Sequence, residues 1–274
     1  MGLRINSNIA SLNAQQQLAK ATMNLQGNFR RLSTGMRIAS ASDDAAGLAI
    51  SERLRSEVRS LNQASRNAND AVSLIQTGEG AMNEISSTLI RMRELAVQSN
   101  NETVSDSDKD AMSEEFNALR SELDRIASST EFNGTALLDG TTTSVTFQVG
   151  SGTAASDTIS LTLQDVSSDA LSIDALDISS VGSATTAISA IDTAINSVSS
   201  ARGSFGAVQN RLTTSITNLG SAIENLTAAE SRIRDVDVAA ETADLTRNSI
   251  LQQAAISVLA QANVQPQSAL RLLG

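Results

Sequence analysis

The sequence predicts a mainly α fold: a long antiparallel helical coiled-coil rod with a small β-hairpin region, whose termini form an additional two-helix coiled coil. Three observations predict it. Apolar residues recur every seven positions over two long stretches, which is the spacing that keeps one helix face against a partner helix. Only one proline, Pro266, occurs in 274 residues. Five Phe, with no Trp and no Tyr, leave mainly aliphatic side chains for the core, which favours thin helical bundles.

The first long helix is predicted from a seam of apolar residues that begins at Leu54. A second seam is partial, with Val58 and Val72 early and Ile85 and Met92 late. The change of phase falls at Gly78-Glu79-Gly80, so these two glycines are expected to mark a bend or a phase shift. The members of the continuous seam are Leu54, Leu61, Ala68, Ile75, Met82, Leu89 and Ala96.

The second long helix is predicted from a seam that begins at Ile191. Its members are Ile191, Val198, Phe205, Leu212, Leu219, Leu226, Ile233 and Ala240, and much of a second seam comes from Ile188, Ile195, Ile216 and Ile223. At about 1.5 Å per residue, the two long helices are expected to measure on the order of 60 to 75 Å. Helices of this length exceed the usual globular helix and predict a rod held by the two seams.

A shorter helix is predicted between the two long ones. Apolar side chains, among them Phe116 and Leu123, recur at helical spacing over about 107–128, and Asp106 and Asp108 are suited to cap its start. This helix is expected to fold back against the first long helix.

A hairpin is predicted after that helix. The turn residues at 131–134 end the helical pattern, and apolar residues then alternate with polar ones over 145–149 and 159–163, which is typical of two paired strands. The stretch at 165–186, rich in Ser, Asp and Thr, is interpreted as a loop with short strands.

Both ends of the chain are predicted to be helical, each with one apolar stripe between polar faces. Such a helix needs a partner, because its own hydrogen bonds do not offset the entropy of ordering the chain. The partner is either the other end of the chain or another subunit. The stripe residues, predicted to form the polymerisation core, are Ile5, Ile9, Leu12, Leu18, Leu25, Leu32, Val238, Leu245, Leu251, Val258 and Ala262.

The predicted organisation has five segments. The terminal coiled coil takes its halves from 1–40 and 239–274, and the helical rod takes its halves from 41–138 and 188–238. The hairpin and a variable loop occupy 139–187.

The composition argues against catalysis and against nucleic-acid binding. No His and no Cys are present, so the usual general base, the thiolate nucleophile and the commonest metal ligands are missing, and no cofactor is expected. A net charge of −10 makes contact with a phosphate backbone unfavourable. No apolar run is long enough for a membrane span or a secretory signal, so export would need another route. The seven-residue repeats alone leave open a cytoplasmic coiled-coil scaffold.

Motifs at both ends resemble bacterial flagellins, over roughly residues 1–138 and 190–274. Several independent motifs occur in the family's order, which makes a chance similarity improbable. They are Met1-Gly2-Leu3-Arg4-Ile5-Asn6-Ser7-Asn8-Ile9-Ala10, Arg31-Leu32-Ser33-Thr34-Gly35, Ser42-Asp43-Asp44-Ala45-Ala46-Gly47-Leu48-Ala49-Ile50, Gln76-Thr77-Gly78-Glu79-Gly80-Ala81, Arg93-Glu94-Leu95-Ala96-Val97-Gln98-Ser99, Phe132-Asn133-Gly134, Ala260-Gln261-Ala262-Asn263 and Leu270-Arg271-Leu272-Leu273-Gly274.

The resemblance implies a short flagellin without outer variable domains: an extracellular, non-enzymatic subunit of which many copies form a hollow filament for motility. It also implies export through the flagellar type III apparatus with a dedicated chaperone, and contacts with filament cap and hook-filament junction proteins. The junction protein itself is the nearest alternative. Arg91, Leu95, Gln98 and Glu115 fall where similar flagellins are bound by Toll-like receptor 5, and these residues could equally serve contacts between subunits.

Overall fold

The computed structural model describes the backbone of residues 7–271 and the side chains of residues 7–264. Within these residues lie five α-helices: α1 (Ile9–Thr34), α2 (Ala45–Ser99), α3 (Asp106–Ser129), α4 (Val181–Arg234) and α5 (Val238–Arg271). The same part of the chain holds four short strands: β1 (Glu131–Phe132), β2 (Thr135–Ala136), β3 (Ser144–Gln148) and β4 (Thr158–Thr162). The mainly α fold class with a small β-hairpin region is therefore confirmed.

The chain divides into two compact units. The terminal unit comprises residues 1–56 and 225–274 and contains α1 and α5. The central unit comprises residues 57–224 and contains α3, all four strands and most of α2 and α4.

The buried face of α2 in the central unit follows the coiled-coil spacing without interruption. Its members lie in alternating steps of three and four residues: Leu61, Ala64, Ala68, Ala71, Ile75, Gly78, Met82, Ile85, Leu89, Met92, Ala96 and Ser99. The phase shift predicted at Gly78-Glu79-Gly80 is therefore wrong, and the helix continues through both glycines. The second seam was hidden because its early members, Ala64, Ala71 and Gly78, are small.

A close contact with α4 explains Gly78. A Cβ atom at this position would lie 2.7 Å from Cε2 of the Phe205 ring, so only glycine leaves room for the ring. The two helices are antiparallel. Arg93 of α2 pairs with Asp192 of α4 at 2.6 Å. Asn100, which follows Arg93 in the chain, accepts a hydrogen bond from Thr185, which precedes Asp192.

The seam of α4 is buried through the central unit as predicted, from Ile191 to Leu219. Its second seam consists of Ala187, Ala194, Ala201 and Val208, whereas the predicted Ile188, Ile195 and Ile216 are only partly buried at its edge. The predicted seam also ran on to Ala240, and this extension is wrong because α4 ends at Arg234 and Ala240 lies exposed on α5.

The α3 helix begins one residue before the predicted range, and its cap is Ser105. The Ser105 hydroxyl oxygen accepts a hydrogen bond from the Asp108 amide at 3.3 Å, so the predicted capping by Asp106 and Asp108 is corrected. Both carboxylates lie in the first turn, where the positive end of the helix dipole stabilises them. Phe116 and Leu123 are fully buried in the core.

The predicted hairpin is present. Strands β3 and β4 are antiparallel, with Val145 opposite Leu161 and Phe147 opposite Ile159. A smaller hairpin, β1 with β2, turns at Asn133 and Gly134, which both have positive φ, as a tight hairpin turn requires.

The segment 165–180, which we call the belt segment, forms turns along α3. The short strands predicted for this stretch are wrong within the described residues, and from Val181 onward the chain belongs to α4. Val166, Ile173 and Ile178 are fully buried. Because these side chains are far apart and do not alternate, they anchor turns rather than a strand.

Candidate assembly surface

The terminal unit is built on the antiparallel pairing of α1 with α5. Asn8, at the N-terminus of α1, donates a side-chain hydrogen bond of 2.8 Å to the carbonyl oxygen of Ala262, and Ser11 bonds to Asn263 at 2.8 Å. Further along, Gln252 donates to Thr22 at 3.4 Å. Each terminal helix therefore pairs with the other end of the chain, which is one of the two partners that the sequence leaves open.

The contact between these two helices buries small or polar side chains. Ser11, Ala14, Ala21 and Asn28 are the buried residues of α1, and Glu241 and Ala262 are the buried residues of α5 among those with described side chains. Two helices that touch through alanine approach closely but bury little apolar area. The pair therefore gains little stability from its own core.

A polar cluster lies inside this contact. With the Asn28 amide oriented to match its partners, its nitrogen donates to Glu241 Oε1 at 3.3 Å and its oxygen accepts from the Leu245 amide at 3.0 Å and from Asn248 at 3.2 Å. Arg31 adds an ion pair to Glu241 at 3.7 Å. Buried polar groups of this kind favour one register of a helix pair, because any slip leaves them without partners.

Most large side chains of the predicted polymerisation core point to solvent. Ile9 is 60% exposed and Val258 is 59% exposed, and Leu12, Val238 and Leu251 are also more than half exposed. Leu18, Leu25, Leu32 and Leu245 are half-buried, and Ala262 is buried. Ile5 lies outside the described residues. The structure thus brings the predicted stripes together but covers only part of them.

Further exposed apolar residues were missed by the sequence reasoning: Met23, Phe29, Ile250, Ile256 and Val264. They lie beside the predicted stripes rather than in them, so a search for a single stripe passes over them. The sequence does contain one indication of them: α1 and α5 carry more large apolar residues than a single seam can hold. The terminal helices therefore present apolar surface on more than one side.

A groove of about 560 Å³ runs between α1 and α5. Its apolar floor includes Ala14 and Ala21 of α1 and Leu251, Ala255 and Val258 of α5. Small residues on one helix and large exposed ones on the other leave a concave surface, which suits an aliphatic side chain of another helix.

The connectors at the inner ends of α1 and α5 are held side by side. Gly35 adopts a left-handed conformation with φ of 69° and ends α1, and its carbonyl oxygen accepts from the Val236 amide at 3.0 Å. The Arg37 amide donates to the carbonyl oxygen of Arg234 at 2.7 Å. The Arg234 guanidinium, in turn, donates to Glu52 at 2.8 Å.

A carboxylate fixes the turn before α2. The hydroxyl of Ser40 and the backbone amides of Ser40 and Ala39 donate hydrogen bonds to Asp43 and hold the pKa of its carboxyl below the ordinary value of 3.8. Arg30 adds an ion pair at 2.9 Å. Within the flagellin-like motif at 42–50, Asp43 therefore has a structural role, in which it stabilises the backbone of a turn.

The predicted rod seam lies where it was expected in the central unit. Leu61, Ile75, Met82, Leu89, Val198, Phe205, Leu212 and Leu219 are buried. Leu54, Leu226 and Ile233 lie in the terminal unit and are half-buried. The seam is thus tightest in the central unit.

The four residues predicted to contact the innate receptor divide into two groups. Arg91 and Glu115 form an exposed ion pair at 2.8 Å between α2 and α3, and Gln98 is exposed. Hydrogen bonds to Glu115 and Glu94 raise the pKa of Arg91. Leu95, by contrast, is only 2% exposed and belongs to the core, so its side chain offers no contact surface in this chain.

The described part of the chain contains no cluster of three or more acidic side chains close enough to hold a metal ion. None of the helices in that part has the length and apolarity needed to cross a bilayer. Most of the exposed large apolar side chains among the described residues lie on α1 and α5.

Two family models match the chain. One, the bacterial flagellin N-terminal helical region, matches residues 5–143, and the other, the bacterial flagellin C-terminal helical region, matches residues 188–273. Together they cover α1 to α3 and nearly all of α4 and α5.

Known proteins match over almost the whole length. A flagellin of Halalkalibacterium halodurans is 49% identical over 269 residues, which are 98% of this chain and 99% of that protein. A flagellin of Bacillus subtilis is 45% identical, over 99% of this chain and 100% of that protein. Among solved structures, the crystal structure of Bacillus cereus flagellin has a TM-score of 0.51 and 36% identity, and the match covers 60% of this chain and 94% of that one.

Proposed function

The chain belongs to the bacterial flagellin family, and from that premise we propose that it polymerises through α1 and α5 into a hollow helical filament that serves motility. As a member of this family, the chain is a structural subunit of the extracellular flagellar filament and not an enzyme. What we propose is the mechanism, in which the exposed apolar faces of the terminal pair contact the same helices of neighbouring copies.

One observation carries this mechanism: the terminal pair exposes many of its large apolar side chains while it buries alanines. Full burial of a Val, Leu or Ile side chain stabilises by about 1.5 to 3 kcal/mol. Side chains such as Ile9, Leu12, Leu251 and Val258 forgo most of that free energy in a single copy. Packing against other copies would recover it, whereas a helix pair with this composition gains little by staying alone.

We propose the corresponding division of the chain. Residues 1–40 and 239–274 polymerise, and residues 41–138 and 188–238, held by the rod seam, support them. The hairpin and variable loop at 139–187 pack on that support. The continuous buried seam from Leu61 to Ser99 supports the assignment, because it gives the central unit a core of its own.

Deletion of residues 1–35 or 245–274 tests the mechanism. Either deletion is expected to leave a soluble helical protein that forms no filaments in electron micrographs, because half of the terminal pair is missing. Filaments formed after either deletion would refute the proposal.

Full-length variants test the same surface without removing helices. Leu12→Asn with Val258→Asn is expected to abolish filament growth while helicity and the melting temperature stay near wild type, because both side chains are exposed in the monomer. Gln16→Asn with Gln253→Asn, also exposed and on the same helices, is the matched control and is expected to polymerise.

The further partners are proposed from the resemblance alone. They are the flagellar type III export apparatus, an export chaperone, and the filament cap and hook-filament junction proteins. The chain is expected to stay inside cells that lack type III export. It should also be the abundant protein of sheared filaments, which separates a filament subunit from a junction protein present in few copies.

Recognition by Toll-like receptor 5 is the finer proposal for the central unit. The exposed Arg91–Glu115 pair and the neighbouring Gln98 support it, because they form one accessible polar surface across two helices. A receptor reporter assay on monomer should give a signal that Arg91→Ala reduces. Leu95→Ala is a poor test, since loss of this buried side chain disturbs the core. No signal from the wild-type monomer would reject recognition.

A further inference from the structure

The chain offers oxidants few targets other than methionine. It contains no Cys, Trp, Tyr or His and six Met, so the thioether sulfurs are the groups that two-electron oxidants attack most readily. The rate at which a thioether is oxidised depends on how far its side chain is exposed to solvent. The position of each methionine in the fold therefore decides where the chain is oxidised.

Met23 is the accessible methionine among the described residues, with 63% of its surface exposed. Met36 is half-buried, and its sulfur accepts a hydrogen bond from the Arg234 guanidinium at 3.2 Å. Met1 lies outside the described residues. The methionines of the core are at most 8% exposed, and they are Met82, Met92 and Met112. Within residues 7–264, the fold thus leaves one thioether open to oxidants.

Met23 lies on the side of α1 that faces away from α5. At about 100° per residue, it is roughly 180° around the helix from Ala14, which is buried in the contact between α1 and α5. The same geometry places Met23 within about 40° of Ile9 and Leu12, which are 60% and 56% exposed. Met23 therefore belongs to the exposed apolar face of α1, and a change in its polarity leaves the helix pair itself intact.

Oxygen transfer at this position turns an apolar side chain into a polar one. The thioether sulfur attacks one oxygen atom of hydrogen peroxide, the O–O bond breaks, and a bond between sulfur and oxygen forms. The hydroxide that leaves takes up the proton of the transferred oxygen and becomes water. The sulfur is thereby oxidised by two electrons and the peroxide is reduced by two. The product, methionine sulfoxide, is polar and disrupts the apolar contacts in which it is buried.

We propose that Met23 is an oxidation site through which peroxide oxidants control assembly: a monomer oxidised at Met23 stays folded but no longer extends filaments. The inference rests on the proposed polymerisation through α1 and α5. Neighbouring copies cover Met23 in the filament, so incorporated copies are protected and only free monomers respond. The modification is reversible, because methionine sulfoxide reductases convert the sulfoxide back to the thioether.

Peptide mass spectrometry of the full-length protein tests the selectivity. Monomers and assembled filaments are treated with hydrogen peroxide, and the sulfoxide at each methionine is quantified over time. In monomers, Met23 is expected to react at least about tenfold faster than Met82 and Met92, because the two core side chains are inaccessible. Incorporation into filaments should slow the reaction of Met23 at least about tenfold. If Met23 reacts no faster than the core methionines in monomers, or equally fast in filaments, the proposal is overturned.

Elongation of untreated filament seeds by treated monomers tests the effect on assembly, after the peroxide has been removed. Oxidised wild-type monomers are expected to elongate at least about tenfold more slowly than untreated ones, because a polar group without partners is buried at each contact. Met23→Leu keeps an apolar side chain of similar volume and should elongate like wild type before and after peroxide. Met36→Leu is the matched control that retains Met23, and its growth should remain sensitive to peroxide. Reductases for both sulfoxide epimers should restore wild-type growth.

The controls separate this oxidation site from the polymerisation itself. Circular dichroism melts of each monomer, before and after peroxide, verify that it is folded. Undiminished growth of monomers that carry the Met23 sulfoxide overturns the inference while leaving polymerisation intact. The same holds if peroxide slows Met23→Leu as much as wild type, or if it no longer slows Met36→Leu. Failure of untreated wild-type monomers to extend seeds would instead refute the proposed function.

Discussion

The terminal unit and the central unit use the same seven-residue pattern in opposite ways. The central unit buries large side chains such as Phe116, Phe205 and Leu89 completely and places alanine and glycine where helices approach. The α1–α5 pair of the terminal unit buries Ala14 and Ala21 and leaves large side chains such as Ile9 and Val258 mostly exposed. A heptad pattern therefore indicates that a helix has a partner, and burial of its large members tells whether that partner is in the same chain.

Leucine truncation in each unit is expected to give the largest difference. Leu89→Ala should lower the free energy of unfolding of the monomer by about 2 to 5 kcal/mol, because it leaves a cavity in the core. Leu251→Ala, at a side chain that is 51% exposed, should leave monomer stability nearly unchanged and weaken filament formation. Chemical denaturation of monomers and seeded elongation measure the two effects. Equal loss of monomer stability in both variants would contradict the comparison.

Glycine replacement should give effects of opposite sign in the two units. Gly78→Ala is expected to destabilise the central unit by about 1 to 3 kcal/mol, because the new methyl group overlaps the Phe205 ring. Gly27→Ala, in α1, meets nothing within 4 Å and should stabilise its helix by up to about 1 kcal/mol. Thermal unfolding of the two monomers measures both. If Phe205→Leu restores the stability of the Gly78→Ala variant, the overlap with the Phe205 ring is the cause of the destabilisation.

Acidification should give the smallest effect, confined to the turn before α2. The pKa of Asp43 is held below its ordinary value of 3.8, chiefly by the Ser40 hydroxyl, so its stabilising contribution is present above that value and is lost as the pH falls through the lower pKa of the folded chain. Melting temperatures of wild type and Asp43→Asn should differ near neutral pH and converge in acid. Ser40→Ala removes the hydroxyl that donates to this carboxylate. In a Ser40→Ala background, the melting temperatures with and without the Asp43→Asn substitution should therefore differ less at neutral pH. A difference in melting temperature between wild type and Asp43→Asn that is the same at every pH would contradict the role assigned to this carboxylate.

Large apolar residues at regular spacing made the helices and the hairpin predictable. The pairs Val145 with Leu161 and Phe147 with Ile159 follow from alternation and from a short connection, and the seam from Leu61 to Leu89 follows from its spacing. These features are local in sequence, or they repeat a single period. That is the information a single sequence holds most clearly.

Small and polar residues in contacts were not predictable in the same way. Ala64, Ala71 and Gly78 form a buried seam, but their side chains give no apolar signal, and only the facing Phe205 ring explains the glycine. The same holds for Asn28 and Glu241, polar residues whose burial depends on which helix faces them. Leu95 shows the opposite problem. The family resemblance predicts a receptor contact at this position, whereas its side chain in this chain is buried in the core.

The hydrogen bond from Asn8 to Ala262 joins residues 254 positions apart in the chain. Closing a loop of this length costs chain entropy, so formation of the terminal pair depends on chain topology as well as on local helix formation. However early α1 becomes available, its partner is the last helix of the chain. The proposed assembly surface is therefore completed only once both α1 and α5 are present, which makes association of chains that lack α5 unfavourable.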